Sequence, residues 1–531
     1  MDLQLSQETM NLLKGLRKDT TTQGITSLTG LVAYNLEPNA KNIYPVFYPL
    51  LASTPRVNPT WQGKPIGGTG VNWKAIVGID SGGYPATSEG NRNAFMNITE
   101  RNYSALFKFL GKDNQTSFQA QQMGLGFDDN IALAQLSLLN ALLNQEEMML
   151  LFGNSGTANG GNGFLLGQTS TPVGTATNAA SSTIPTGTSV SAFCVALTGW
   201  GVTLATATGL YLPTLRANAD NSYDVIYGGT GIISAASNAV VTSGAQSVTF
   251  VVPPSVGAMG YGWYIDSTDA SPTSPNKANA YFAGVTSWNA ITLLALPSHA
   301  SGVQKANATG SNTGANSPGG NNDLTGDNSF NSLDFDGICT WAFGTAANTQ
   351  PAYLKDLQGA GFTSNGDGTI AEFEAVADAL WLQYKISPDA IYMGGNLIQA
   401  ASRAVFVSSS GTGAVRIEFQ NNAQGAATAG QLVAEYRWKY SNTASSKTIP
   451  MRAHPWLPQG VVLFDLTNNP YPAAGNSIPA VRRIVSLEDH FSIRWPYRKL
   501  QHEVGVYAFE TLEHYIPFGQ AILVGVQAKV N

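Results

Sequence analysis

The sequence predicts an α+β protein that carries an inserted all-β sandwich, and three observations support this. Residues 127–152 have the pattern of one long apolar helix, and the chain before them is extended and rich in Pro, Gly and aromatic residues. Residues 189–296 contain seven short strand patterns separated by turn residues. From Leu333 onward, helix and strand patterns alternate again. We therefore expect a mixed fold that a second domain interrupts.

The composition limits the class of protein. A chain of 531 residues is too long for one core, and only 12% of its residues are charged while 56 are Gly. Disorder needs more charge and fewer aromatics, and a net charge of −6 gives no overall attraction to nucleic acid or to an anionic membrane. Cys194 and Cys339 form no metal or redox motif, so we expect two free thiols in a reducing compartment, with one disulfide as the alternative. Residues 1–6 lack a secretion signal, so we expect synthesis and retention in the cytoplasm.

The helix at 127–152 has recognisable ends. Asp128 and Asp129 suit a helix N-terminus, and Gly153 suits a C-cap. Its apolar residues cover nearly the whole circumference, so we expect burial on most sides. These residues are Ile131, Leu133, Leu136, Leu138, Leu139, Leu142, Leu143, Met149 and Phe152. Polar residues that include Glu146 and Glu147 interrupt the run, which excludes a membrane span.

The segment before this helix is extended. Residues 1–25 predict a short amphipathic helix, and the prolines of residues 26–60 predict an arm that must bury its large side chains against another surface. Residues 71–79 and 97–110 alternate as strands do, and a Gly/Ser/Pro-rich tip at 80–90 joins them. We expect a protruding hairpin.

The inserted region predicts a β-sandwich of immunoglobulin or fibronectin type. Its strands are expected at 190–197, 209–215, 223–227, 248–252, 261–265, 281–285 and 290–296. Residues 154–170 and 298–332 are expected to be flexible Gly/Asn/Ser linkers, so the sandwich should fold alone, protrude and be removable.

The chain after the insertion predicts further elements. Thr369 and Glu372 form a capping-box pattern that opens a helix ending near Tyr384. A strand at 390–393, a helix at 396–405 and tail strands at 482–487, 491–495, 503–509 and 521–528 follow.

Several motifs resemble catalytic or metal sites but are incomplete. Ser81 lies in a protease-like Gly-Ile-Asp-Ser-Gly-Gly run without the family's His segment, and the HExxH-like run at His502 has Val506 where the second His must stand. Residues 363–374 match a calcium loop except at Thr363, and the alternative is a turn before a capped helix. The basic aromatic run at 494–499 predicts a structural or interface patch, with nonspecific phosphate contact as the second interpretation. We therefore expect no enzyme, no metal and no cofactor.

The order of these segments resembles the major capsid protein of tailed bacteriophages, the Hong Kong 97 fold. The resemblance rests on the arm motifs at 36–46, the hairpin with Ser88-Glu89-Gly90 at its tip, Phe127-Asp128-Asp129 with the helix to Gly153, and segments at 333–338, 454–460, 510–513 and 517–526. It implies an N-terminal arm (1–60), an extended loop (61–118), a peripheral domain (119–160 and 480–531), an immunoglobulin-like insertion (161–325) and an axial domain (326–479). The segments at 510–513 and 517–526 would be the closing strand of the peripheral domain.

The resemblance also implies a function and partners. The subunit would assemble into hexamers and pentamers of an icosahedral head around double-stranded DNA, which it would contact nonspecifically. It would work with a portal, a separate scaffolding protein and, where present, a decoration protein, in the host cytoplasm and then in the virion. The alternatives are a surface adhesin or S-layer-like protein with a glycan-binding sandwich, and a hydrolase that uses Ser81 or the carboxylates Asp334 and Asp336.

The hairpin is expected to supply contacts between subunits. It is poor in charge, yet opposite charges lie at its tip and on its second strand. We expect at least one inter-subunit ion pair among Glu89, Arg92, Glu100 and Arg101.

Overall fold

A computed structural model describes most of the chain. The described residues are 47–58, 60–61, 64–65, 67–79, 86–92, 98–124, 129–156, 163–217, 223–267, 275–308, 323–344, 351–406, 433–441, 447–471, 478, 480–497 and 499–529. The helix expected within residues 1–25, most of the arm and Ser81 lie outside them.

The helices and strands are numbered here in chain order. The helices are α1 (Pro49–Ser53), α2 (Phe118–Gly124), α3 (Asn130–Phe152), α4 (Gly199–Leu204), α5 (Ile338–Phe343), α6 (Ala371–Tyr384) and α7 (Gly395–Phe406), and Pro517–Gly519 is a 3-10 turn. The strands before and within the insertion are β1 (Arg56–Val57), β2 (Thr60–Trp61), β3 (Lys64–Pro65), β4 (Gly70–Ile79), β5 (Ile98–Leu106), β6 (Lys108–Ser117), β7 (Val173–Asn178), β8 (Ser189–Leu197), β9 (Thr214–Ala217), β10 (Tyr223–Ile226), β11 (Val240–Val241), β12 (Gln246–Val251), β13 (Gly260–Asp266), β14 (Ala280–Thr286) and β15 (Ala290–Leu293). The later strands are β16 (Tyr353–Asp356), β17 (Ala390–Met393), β18 (Glu435–Trp438), β19 (Lys447–Ala453), β20 (Val462–Asp465), β21 (Arg482–Arg494), β22 (Gln501–His514) and β23 (Ala521–Val524).

A four-stranded sheet carries the long helix. Its order is β1-β21-β22-β6, and α3 packs on β6 and β22. Asp129 caps α3 as predicted, because its carboxylate accepts from the backbone N–H groups of Ile131 and Ala132. The tail strands expected at 482–487 and 491–495 form one strand, β21, with irregular register between Ser486 and Phe491.

The burial of α3 differs from the expectation. Its C-terminal half is buried, but Leu133 and Leu136 in the first half are 39% and 54% exposed. Apolar residues around the whole circumference show that a helix must be buried. They do not show whether the burying surface belongs to the same chain or to another one. Gly153 follows the helix with φ −52°, so it is not a left-handed cap. A Cβ there would lie 2.2 Å from the backbone oxygen of Phe335, so the close approach of that chain requires glycine.

The hairpin is β4 paired with β5, and it ends at Leu106. β6 pairs with β22 in the four-stranded sheet. Residues 108–117 therefore lie outside the hairpin, although we had expected them to be part of it. A continuous strand pattern does not reveal the switch between sheets at Phe107.

A six-stranded sheet forms the second main part of the molecule. Its order is β16-β23-β20-β17-β19-β18, and α6 and α7 bury apolar residues such as Phe373 and Leu397 in the same core as this sheet. β23 lies between β16 and β20, whereas residues 510–513 lie on β22 in the sheet that carries α3. The two segments that were expected to form one closing strand therefore belong to different sheets. The capping-box prediction is also wrong, because Glu372 accepts from the backbone N–H of Thr363.

The insertion contains a two-sheet sandwich. Among the described residues, the strands expected at 209–215 and 223–227 are not part of it, because β9 and β10 pair with each other in a separate two-stranded sheet. One sheet has the order β11-β8-β13-β14 and the other β15-β12-β7, and their shared core includes Cys194, Trp263 and Phe250. Counted along these seven described strands, the third, second, fifth and sixth form one sheet. Immunoglobulin constant domains instead combine the first, second, fifth and fourth, so this order differs from that of the immunoglobulin constant type. Alternation and turns predict strands but do not determine which ones pair.

The described residues at the borders of the insertion pack against other parts of the chain, which differs from the expected flexible linkers. The Asn154 side chain after α3 donates to the backbone oxygens of Phe164 (2.8 Å) and Ser329 (2.9 Å). Leu324 is fully buried in a core of the sandwich. Met259 of the insertion belongs to the same core as α3 and the base of the hairpin, so the sandwich and the body share packed surface.

Candidate assembly surface

The hairpin has one face toward the body and one face toward solvent. Val71, Trp73 and Ala75 pair with Ala105, Tyr103 and Arg101, and Trp73 and Tyr103 are buried in the main core. The next residue along each strand points the other way, as strand geometry requires. Asn72, Lys74 and Ile76, with Glu100, Asn102 and Ser104 opposite, therefore form an outer face, and all six are exposed.

The outer face carries large apolar side chains. Ile76 is 61% exposed and Leu106 42%, and Ile98 near the far end is 55% exposed. An isolated two-stranded hairpin is marginally stable in water, and exposed apolar groups on it favour further cover. Its inner face fixes the base, while Ile76 and Ile98 on the outer face are an apolar surface that a second chain can cover.

The structure separates the four predicted contact residues. Glu89 and Arg92 lie exposed in the turn region 86–92, where Asn91 donates from its backbone N–H to the oxygen of Ser88 (3.1 Å). Glu100 faces outward, 3.6 Å from the ammonium of Lys74, and this exposed pair contributes at most about 1 kcal/mol. The Arg101 guanidinium lies 5.2 Å from the ring centre of Tyr103. The inter-subunit ion pair stays a prediction.

The start of the described chain is anchored on α3. The Glu147 carboxylate, fully buried, accepts from the backbone N–H groups of Leu50 (2.9 Å) and Leu51 (2.7 Å). Its Oε1 also lies 2.8 Å from Nε2 of His454. Glu147 thus satisfies the first N–H groups of α1, which have no partner within a helix.

The neighbouring glutamate holds the next part of the same segment. The Arg56 guanidinium contacts the carboxylates of Glu146 and Glu510, and His490 Nε2 lies 2.9 Å from Glu146 Oε2. Burial raises the pKa of the Glu510 carboxyl well above its usual range, Glu146 raises it further, and Arg56 opposes both.

Sequence reasoning missed both anchors. Glu146 and Glu147 served only to exclude a membrane span, although they are the only charged residues of α3. Two adjacent charges in the apolar half of a helix were the available signal, because buried charges need partners.

The incomplete motifs have structural roles where they are described. In the calcium-like loop, Glu374 accepts from the Tyr436 hydroxyl and pairs with Lys439. His502 lies on β22, a strand, with Nε2 2.8 Å from the side-chain oxygen of Gln121. Asp336 accepts from the backbone N–H and the hydroxyl of Ser155. Among the described residues, no cluster of His, Cys, Asp and Glu could hold a metal ion.

A bilayer requires a long and strongly apolar helix, and no helix in the described part of the chain meets both requirements.

Comparison with known proteins gave matches only among solved structures. No family model and no curated protein matches the chain. The chain is similar to the capsid chain of cyanophage A-1(L), with TM-score 0.41 and 10% identity over 94% of this chain and 99% of that one. It is also similar to the capsid of Myoviridae phage XM1 (TM-score 0.37, 7% identity, 94% and 100% covered). A third match is a procapsid of satellite phage P4 that includes a size-determination protein (TM-score 0.31, 9% identity, 99% of both chains). We base the function below on contacts within this chain.

Proposed function

We propose that the protein is the major capsid protein of a tailed bacteriophage, a subunit of the Hong Kong 97 type that assembles into hexamers and pentamers around double-stranded DNA. The observation that carries this proposal is the two-faced hairpin. Its base is packed into the subunit core, while Ile76 and Ile98 remain more than half exposed toward the far end. Large interfaces between obligate partners are apolar in this way.

Other parts of the molecule support the same proposal. The first half of α3 leaves Leu133 and Leu136 exposed, so a second surface also lacks cover from the described chain. In the proposed arrangement, the sheet β1-β21-β22-β6 with α3 forms the peripheral part, and the six-stranded sheet with α6 and α7 forms the axial part. The two-sheet insertion would lie on the outside of the shell. The partners of the protein would be portal, scaffolding and decoration proteins and the packaged DNA. Its final location would be the virion.

The alternatives receive less support. Asp336 is committed to Ser155, and the sandwich shares core residues with the body rather than hanging from linkers as a separate glycan-binding module would. Within the described residues, no contact favours the adhesin or the hydrolase.

The experiment that tests the proposal is assembly of the purified full-length protein. We expect large closed particles in sedimentation velocity and in electron micrographs at micromolar concentration. Ile76→Asp should convert these particles to folded subunits, because it places a charge in the apolar contact of the hairpin. Val256→Asp is the matched control, since Val256 is 69% exposed in the insertion. A monodisperse wild-type monomer, or equal assembly of Ile76→Asp and wild type, would contradict the proposal.

A further inference from the structure

The base of the hairpin is held next to a buried histidine. Trp73 on β4 is 6% exposed, and its Nε1 donates to the backbone oxygen of His514 (3.2 Å) at the end of β22. The Trp73 ring stacks on Tyr103 of β5 at 5.7 Å and lies 5.8 Å from Trp341 of α5. Trp341 in turn lies 6.4 Å from the His514 ring. These side chains form one socket, and His514 is part of its wall.

The His514 imidazole is suited only to its neutral form. The residue is fully buried, and neither ring nitrogen has a hydrogen-bond partner among the described residues. An imidazolium needs two acceptors, because both of its nitrogens carry protons. A buried charge without such partners is costly.

The charged groups nearby do not change this conclusion. Arg482 stands opposite His514 in the register of β21 and β22 and repels a second positive charge. Its guanidinium is bound by both carboxylate oxygens of Asp465, and Glu147 on α3 is a further negative neighbour of Arg482. Glu513 pairs with Arg483, and strand alternation places this pair on the opposite face of the sheet. Burial first, and then Arg482, lower the pKa of His514 to about 3.

We propose that this socket is an acid-sensitive release for the hairpin: protonation of His514 opens the contact with Trp73 and frees the base of β4 and β5 from the body. The device is local, because His514 and Trp73 share one hydrogen bond and one aromatic cluster. It goes beyond the capsid role and does not depend on it, since the socket lies within a single chain.

The size of the effect follows from the two states of the histidine. In an open state that exposes His514, the imidazole titrates near its ordinary pKa of about 6.5. Above that pH both states are neutral and the closed socket has its full stability. As pH falls below about 6.5, only the open state binds a proton, so opening becomes easier. At pH 5.0 the ratio of open to closed sockets rises by about 30-fold relative to pH 7.5.

Amide hydrogen exchange on the full-length protein tests this device. Protection of peptides from β4 and β5 should fall by about 30-fold between pH 7.5 and 5.0, after correction for intrinsic exchange, with sedimentation confirming the same assembly state at both pH values. Peptides from β17 and β20 in the six-stranded sheet are the internal reference. In His514→Gln the extra loss at the hairpin should disappear, and in His299→Gln, a change at an exposed histidine, it should remain.

Two results would overturn the device. The first is that, in the wild-type protein, the amides of the hairpin lose no more exchange protection between pH 7.5 and 5.0 than those of β17 and β20. This comparison does not depend on the folding of any variant. The other is an equal loss at the hairpin in His514→Gln and the wild-type protein.

Discussion

Glu147 offers the sharpest test of how the arm is attached. Its buried carboxylate receives the backbone N–H groups of Leu50 and Leu51 and lies 2.8 Å from His454. Glu147→Ala removes the acceptor of all three groups and leaves them buried without a partner from that side chain. Glu147→Gln keeps the shape but replaces one acceptor oxygen with an NH2 group, which then faces a donor.

The magnitude follows from these partners. Removing one member of a buried hydrogen-bonded charge network costs about 3–5 kcal/mol of unfolding free energy, which we expect for Glu147→Ala. Leaving one buried donor unsatisfied costs about 1–3 kcal/mol, which we expect for Glu147→Gln. Glu435→Ala is the matched control, because Glu435 is exposed on β18 and should change stability by less than about 0.5 kcal/mol.

The assay combines denaturant unfolding of the subunit with hydrogen exchange of residues 47–57. The order of stability should be wild type, then Glu147→Gln, then Glu147→Ala. The exchange of Leu50 and Leu51 should increase more than that of β17, since those amides lose their acceptor directly. If Glu147→Ala costs less than about 1 kcal/mol, or if the arm amides stay protected, Glu147 does not hold the arm.

Three further predictions concern other surfaces of the molecule. Charge reversal at one or more of four hairpin positions should reduce particle yield while leaving the subunit folded, and reversal of both partners of the pair should partly restore it. Wild-type yield from all four single reversals would refute the ion pair. These positions are Glu89, Arg92, Glu100 and Arg101. Asn154→Ala should lower the unfolding free energy by about 1–3 kcal/mol, because Asn154 joins both borders of the insertion. Deletion of about 165–325 should destabilise the remaining chain, contrary to the linker expectation. An unchanged melting temperature in both variants would restore that expectation. Gly111→Ala should destabilise β6, because its Cβ would lie 2.0 Å from the Tyr507 ring. Gly90→Ala is the control: nothing lies within 4 Å of its Cβ, and only its φ of +83° adds some strain. Equal melting temperatures for the two variants would contradict this packing.

Several local elements of this protein followed from its sequence. The long helix, its Asp129 cap and the hairpin strands were predictable because apolar periodicity and capping depend on neighbours within a few residues. The same local reasoning could not show that β6 leaves the hairpin for another sheet, since both sheets demand the same alternation.

Only the tertiary structure decided where the buried charges and the sheet partners lie. Glu147 meets Leu50 from 97 residues away, and β23 enters the six-stranded sheet between strands far from it in sequence. His514 became a candidate proton switch only when Trp73, Trp341 and Arg482 were placed around it. A sequence shows which side chains need cover or a partner, because polarity and size belong to each residue. The partner itself depends on how distant segments cross, and folding fixes that crossing through the combined packing of the whole chain.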